Sequence, residues 1–123
     1  MAKITGLGGV FYVVKDPAAT RQWYKEKLGI EGEYGPQLNW SEETGEKPYS
    51  LISHFTDSEY LKPSAHNFMI NLRVDDLNSF VSILKSRDVE ILEQVDEGYG
   101  KFAWIIDPDG VKIELWEQIA TPE

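Results

Sequence analysis

Residues 99–117 of this chain read YGKFAWIIDPDGVKIELWE, and an Asp-Pro-Asp-Gly motif at 107–110 divides this stretch into two parts. Proline presets φ for a turn and glycine tolerates positive φ, so the motif reverses the chain locally. β-branched and aromatic residues dominate the two flanking parts, which favours strands. The stretch therefore predicts an antiparallel hairpin whose second strand carries a carboxylate, Glu114, between apolar neighbours.

A weaker copy of this pattern lies upstream. A Tyr-Gly pair at 34–35 stands as far ahead of Gly45 as the pair at 99–100 stands ahead of Gly110. A repeat that occurs only twice indicates a duplicated α+β unit rather than a solenoid. Each copy is expected to contain a strand, a helix and then further strands.

Local patterns supply the first elements of each copy. Residues 10–14 are β-branched and aromatic, and residues 68–74 alternate apolar with polar side chains, so both are predicted strands. Asp16-Pro17 and Asp76 are typical helix starts, which predict helices over 20–28 and 78–87. We expect one domain over residues 1–123, with a first module at about 4–60 and a second at about 66–119.

Composition limits the class of protein. A chain of 123 residues that is 41% hydrophobic is long enough for one core and too short for two independent domains. The absence of cysteine excludes disulfides, thiolate nucleophiles and zinc–thiolate sites. The first residues lack the apolar run of a signal peptide, so a reducing, cytoplasmic setting is expected.

Charge limits the partners. Twelve basic and 21 acidic residues give a formal net charge of −9 without a basic cluster, which disfavours nucleic acid and anionic membrane surfaces. No stretch approaches the length that spans a membrane. The acidic balance favours cationic ligands, and it is also a common solubility trait.

Residues 10–29, 69–77 and 100–117 resemble the vicinal-oxygen-chelate superfamily, which includes glyoxalase I, bleomycin-resistance proteins and extradiol dioxygenases. The segment 102–116 is very similar to the closing hairpin of that family. The resemblance implies an α+β fold with two tandem βαβββ modules, whose curved mixed sheets enclose a cavity within a homodimer. It implies a small-molecule ligand without fixing a reaction, because this fold hosts several chemistries and also metal-free binding.

Metal-using members of the superfamily take ligands from the first and last strands of each module. Glu114 matches the closing carboxylate of the second module, whereas the other positions fall on Gly9, Met69 and residues 49–51. A divalent ion needs several oxygen or nitrogen donors, so no metal cofactor is expected. A shifted register that brings His54 beside Glu114 is the remaining route to a metal site.

Strand alternation predicts which side chains share the concave face. Ile113 and Leu115 are apolar and should contact the helices, which leaves Glu114 on the opposite face. The same parity gives the candidate ligand-binding residues Phe11, Met69, Asn71, Arg73, Phe102, Trp104 and Trp116. An aromatic set with a few polar groups is typical of a small-molecule pocket. The alternative is simple packing of these aromatics, with Glu114 ion-paired to Lys112 or Arg73.

Two functions remain open. In the first, the protein sequesters an aromatic or cationic compound in a tryptophan-lined cavity without catalysis, as in the bleomycin-resistance branch. The charge, the four tryptophans and the missing metal ligands favour this function. In the second, a glyoxalase-like lyase or isomerase uses Glu114 as a general base, with or without a divalent metal, while Asn71 or Arg73 holds a substrate oxygen.

Overall fold

The computed structural model describes Lys3 and residues 7–119. Its helices and strands are, in chain order, α1 (Pro17–Trp23), β1 (Met69–Arg73), α2 (Leu77–Ser86), β2 (Glu93–Asp96), β3 (Gly100–Ile106) and β4 (Lys112–Gln118). A π-helical turn at Tyr24–Leu28 continues α1, and 3-10 turns form at Trp40–Glu42 and Ser58–Leu61. Among these described residues, no helix is long and apolar enough to cross a membrane. The predicted α+β class is confirmed.

Both helices begin at a capping aspartate. The Asp16 carboxylate accepts a hydrogen bond from the Ala19 amide, and the Asp76 carboxylate accepts one from the Ser79 amide, each at 3.2 Å. These bonds satisfy amides that have no partner within the first helical turn. The first helical segment ends at Gly29, whose φ of 75° is the left-handed conformation that favours glycine. The capping aspartates and the glycine stop agree with the sequence prediction, whereas α1 begins at Pro17 rather than at residue 20.

A four-stranded mixed sheet forms in the order β1-β4-β3-β2. The pair β1 and β4 is parallel, and the other two pairs are antiparallel. The predicted hairpin joins β3 to β4 through residues 107–110, where the Asp107 amide donates to the Val111 carbonyl at 3.0 Å and Gly110 has a φ of 80°. The segment from β1 to β4, with α2 between β1 and β2, is therefore one βαβββ unit.

One face of this sheet forms the core. Side chains of β3 and β4 pack against both helical segments, and the buried cluster contains Tyr24, Leu28, Leu77, Val81, Leu84, Val89, Ala103, Ile105, Ile113 and Leu115. Burial of one large aliphatic side chain contributes about 1.5–3 kcal/mol relative to its exposure. Ile113 and Leu115 contact the helices as expected, so their strand neighbours point to the other face.

The first half of the chain differs from the prediction. The described residues before β1 contain helical turns but no strand. Within the predicted strand at 10–14, Phe11 and Val13 are each 95% exposed. A β-branched pattern forms a strand only where a neighbouring strand can pair with it, and the described chain brings none to this segment. The tandem arrangement is therefore not confirmed, and the sheet is open rather than closed around a cavity.

The hairpin turn at 107–110 is joined to the first helical segment. The Tyr24 hydroxyl donates to Asp107 Oδ2 at 2.7 Å, and the Thr20 hydroxyl donates to Asp109 Oδ2 at 2.5 Å. Burial raises the pKa of the Tyr24 phenol well above its ordinary value, and the hydrogen bonds to Tyr12 and Asp107 add to this shift. The phenol therefore stays protonated and anchors the turn to the helix.

Candidate functional site

The sheet face opposite the core carries most of the predicted polar and aromatic residues. The strand register pairs Asn71 of β1 with Glu114 of β4, and Glu114 with Trp104 of β3. Directly paired residues of adjacent strands point to the same face, so these three side chains form a row across the sheet. The next row consists of Arg73, Trp116 and Phe102.

Glu114 lies at the centre of this face and is only 8% exposed. Its Oε1 accepts a hydrogen bond from Asn71 Nδ2 at 2.7 Å. Its Oε2 accepts one from Trp104 Nε1 at 2.9 Å and another from the Tyr60 hydroxyl. All three donors are neutral, and in the described chain no lysine or arginine forms an ion pair with this carboxylate. The hydrogen bonds stabilise a nearly buried anion without neutralising its charge.

Tyr60 reaches this face from the 3-10 turn Ser58–Leu61. Lys112 Nζ donates to the Tyr60 carbonyl oxygen at 2.6 Å and lies 5.2 Å from the centre of the Tyr60 ring. The ring meets Trp104 edge-on at 6.2 Å and Phe55 at 5.4 Å. Burial raises the pKa of the Tyr60 phenol, and the hydrogen bond and charge of the adjoining carboxylate raise it further. Tyr60 is therefore a neutral proton donor that covers one edge of the site.

Arg73 has its own carboxylate partner. Its Nε donates to Glu43 Oε2 at 2.8 Å, and the guanidinium carbon lies 4.8 Å from the centre of the Trp116 ring. The hydrogen bond from Arg73 lowers the pKa of Glu43, and backbone amides assist it. The alternative ion pair of Glu114 with Arg73 or Lys112 is not formed in the described structure.

Aromatic rings line the face beside the carboxylate. Phe102 and Trp104 stack with an angle of 15° between their planes and 6.1 Å between their centroids. Tyr49 packs edge-on against Trp116 at 5.3 Å. Parallel and edge-on pairs at these distances are favourable for aromatic rings. The face thus combines a nearly buried carboxylate with aromatic rings and with the side chains of Arg73 and Lys112.

Two of the predicted ligand-binding residues, Met69 and Phe11, lie at the end of a strand and outside the sheet, respectively. Met69 is on the same face, where it pairs with Lys112 at the end of the strand. Phe11 is almost fully exposed and lies in a segment outside the sheet, so the structure does not bring it to Glu114. Tyr60 was expected to reach the pocket or the partner subunit from the linker at 56–66, and it reaches Glu114. Sequence reasoning missed the role of Glu43, which comes from a segment without a periodic pattern. An aromatic residue in an otherwise polar linker was the only available signal for Tyr60.

The residues around Glu114 do not fit the divalent ion that metal-using members of the superfamily hold. Across residues 7–119 there is no group of three or more His, Cys, Asp or Glu side chains suited to a metal ion. The Glu114 carboxylate accepts three hydrogen bonds, which leaves one of its roughly four lone-pair sites for a metal ion that needs several donors. His54 is exposed and has no hydrogen-bond partner among the described residues. His66 Nε2 instead forms a hydrogen bond with the Asp109 carbonyl at 2.9 Å.

The segment from β1 to β4 is a βαβββ unit that carries the carboxylate of Glu114 on its last strand. The profile of the Glyoxalase/Bleomycin resistance protein/Dioxygenase superfamily matches residues 6–115. The chain belongs to this superfamily. A search of curated proteins finds no match.

Solved structures share the fold at low sequence identity. TnmS3, an antibiotic-binding protein from Streptomyces sp. CB03234, is 23% identical over 85% of this chain and 88% of its own, with a TM-score of 0.53. A superfamily member from Sphaerobacter thermophilus DSM 20745 is 18% identical over 86% and 91%, with a TM-score of 0.52. A structure described as a conserved domain protein is 11% identical over 93% and 99%, with a TM-score of 0.63. Identities this low show the fold alone.

Proposed function

We propose that this protein binds a small aromatic cation on the sheet face around Glu114 and does not alter it chemically. One observation carries the proposal: the Glu114 carboxylate is nearly buried, accepts from three neutral donors and forms no ion pair in the described chain. Lys112 Nζ lies 5.8 Å from the Trp104 ring and forms its hydrogen bond with the Tyr60 carbonyl. Coulomb attraction strengthens as the local dielectric falls, so a cation that reaches this anion gains more than it would in water. The net charge of −9 adds long-range attraction.

The aromatic residues around Glu114 suit the rest of such a ligand. The stacked pair Phe102 and Trp104 lies in the hairpin beside the carboxylate, and Trp116 lies in the next row. Stacking and cation–π contacts contribute about 0.5–2 kcal/mol each. The name of TnmS3 describes it as antibiotic-binding, which supports small-molecule binding on this fold.

Catalysis by Glu114 is the less favoured function. A general base must present a free lone pair within hydrogen-bonding reach of the substrate proton. The Glu114 carboxylate already accepts three hydrogen bonds, so only one of its roughly four lone-pair sites is left for a substrate proton. No other described contact on this face favours a lyase or isomerase over a binding protein.

Binding is proposed to need no metal. The proposal is supported by the hydrogen bonds that Glu114 accepts from the N–H groups of Asn71 and Trp104 and from the O–H group of Tyr60. Elemental analysis for Ni, Zn, Mn and Fe in protein purified without chelator tests this point. We expect substoichiometric metal that is the same in the wild type and in Glu114→Ala. Stoichiometric metal that disappears in Glu114→Ala would contradict metal-free binding.

A second copy of the chain is the proposed partner. Phe11, Val13, Leu51 and Ile52 are large apolar residues with more than half of their surface exposed, and all lie in the half of the chain without strands. Monomeric proteins rarely expose extended apolar surfaces, so we expect these residues to be covered in a homodimer. Light scattering after size-exclusion chromatography should give twice the monomer mass of 14.0 kDa. A mass of one chain at micromolar concentration would overturn this proposal.

Calorimetric titration with a matched pair of ligands tests the binding function. The cation 2-naphthylmethylammonium and the anion 2-naphthoate share a flat ring and differ mainly in the sign of their charge. We expect the cation to bind more tightly by about tenfold or more, because it gains attraction from Glu114 whereas the anion is repelled. Equal affinities, tighter binding of the anion, or no heat with either compound would refute the proposed function.

A further inference from the structure

We propose that the Tyr60 hydroxyl occupies the position that the cationic group of the ligand takes on Glu114. The site would then select primary ammonium and amidinium groups, which carry N–H donors, over quaternary ammonium groups, which carry none. This inference rests on the proposed function, because it concerns the same carboxylate and the same class of ligand. It makes Tyr60 the residue that determines specificity.

The positions of the three donors single out Tyr60. Asn71 and Trp104 belong to strands β1 and β3, which flank β4 and are held by its backbone hydrogen bonds. Tyr60 comes from a surface turn and is 44% exposed, whereas Glu114 beneath it is 8% exposed. The phenol is therefore the donor that a ligand meets first on its way to the carboxylate.

Displacement of the phenol needs only a side-chain rotation. Lys112 Nζ holds the Tyr60 carbonyl at 2.6 Å, and Asp57 caps the turn by accepting from the Glu59 amide at 2.9 Å. These bonds fix the backbone of the turn, whereas a half-exposed side chain changes rotamer within nanoseconds. The turn can stay in place while the phenol leaves the carboxylate.

Loss of the phenol from the carboxylate must be compensated. Glu114 Oε2 accepts from both Trp104 and Tyr60, so it loses one of its two bonds when the phenol rotates away. A buried acceptor without its donor is costly, and an N–H of the incoming cation replaces the lost bond. A quaternary ammonium group brings the same charge but cannot donate, so it leaves Oε2 partly unsatisfied.

Calorimetry on the full chain tests this inference with 2-naphthylmethylammonium and its N,N,N-trimethyl analogue. In the wild type we expect the primary ammonium to bind about tenfold more tightly, the equilibrium equivalent of one net hydrogen bond. Tyr60→Phe keeps the ring against Trp104 and removes the competing hydroxyl, so it should tighten both cations by about tenfold. Tyr34→Phe is the matched control, because it removes one hydroxyl from a ring that is 87% exposed, and it should change neither affinity.

The outcomes separate this inference from the function on which it rests. The wild type is expected to bind the primary ammonium more weakly than Tyr60→Phe does. If Tyr60→Phe binds it equally or more weakly, Tyr60 only packs against the ligand, and competition between its hydroxyl and the cation for Glu114 is refuted. Equal wild-type affinities for the two cations refute the selection for N–H donors, and this comparison needs no variant. If neither cation binds to any of the three proteins, the proposed function itself fails and this inference fails with it.

Discussion

Replacement of Tyr24 by phenylalanine should destabilise the protein although it leaves the carbon atoms of the core in place. The Tyr24 hydroxyl donates to Asp107 Oδ2 at 2.7 Å, and in the described chain this oxygen has no other donor. The second oxygen, Oδ1, accepts from the amides of Asp109 and Val111, each at 2.9 Å. Because Asp107 is buried, water cannot readily replace the lost hydroxyl.

The magnitude follows from the kind of bond that is lost. A hydrogen bond to a charged group contributes about 1.5–3 kcal/mol, and a buried acceptor without a donor keeps its full desolvation cost. For a domain of this size each kcal/mol corresponds to roughly 3–6 °C in Tm. We therefore expect Tyr24→Phe to lower Tm by about 5–15 °C. Tyr12→Phe is the control, because its hydroxyl lies 3.4 Å from the Tyr24 hydroxyl and forms no bond to a charged group among the described residues.

Thermal and urea unfolding followed by circular dichroism at pH 7 measure both variants. Tyr12→Phe should cost about 0.5 kcal/mol or less, since it removes one long contact between neutral groups. Equal losses for the two variants would refute the assignment of the Tyr24 hydroxyl as the anchor of the turn. So would a loss below about 0.5 kcal/mol for Tyr24→Phe.

Two further outcomes concern pH and the donors to the carboxylate. The folded-state pKa of Tyr24 lies above its ordinary value of 10.0, so its contribution to stability is fully present below about pH 10 and is lost as the pH rises further. Urea unfolding between about pH 8 and pH 11 should therefore show a steeper decline in the wild type than in Tyr24→Phe, and parallel curves would contradict this. Trp104→Phe removes one donor from Glu114 and should cost about 1–3 kcal/mol in urea unfolding, whereas Trp40→Phe on an exposed turn should cost little. Equal costs would contradict the role of the indole N–H.

Local chemistry made the second half of the fold predictable. The Asp-Pro-Asp-Gly motif determines a tight turn between two β-rich segments, and the hairpin forms there with Gly110 at positive φ. Nearly regular alternation of apolar and polar residues in 68–74 and 112–116 indicated which face meets the helices. These features depend on neighbours within a few residues, so one sequence is sufficient to recognise them.

The first half could not be predicted in the same way. Residues 10–14 have strand composition, but strand formation depends on a partner that the sequence does not identify. The described structure leaves this segment unpaired and exposed. Composition therefore indicated a strand at 10–14, but it did not show whether another strand would pair with this segment.

The candidate site was predictable only where it lies on the sheet. Parity placed Glu114, Asn71 and Trp104 on one face, and the strand register shows why they meet. Tyr60 and Glu43 reach their partners across 54 and 30 residues of sequence. Such contacts depend on how irregular segments fold back over the sheet. Periodic sequence patterns predict helices and strands, but they do not predict the course of such segments. The binding role of these residues stays a prediction.

The affinity of 2-naphthylmethylammonium for Glu114→Gln tests the central claim most directly. Glutamine keeps the size of the side chain and removes its charge, and Glu90→Gln changes the net charge equally at an exposed residue. We expect Kd to rise about tenfold or more in Glu114→Gln and to change less than about twofold in Glu90→Gln. An unchanged Kd in Glu114→Gln would show that the buried carboxylate does not hold the cation.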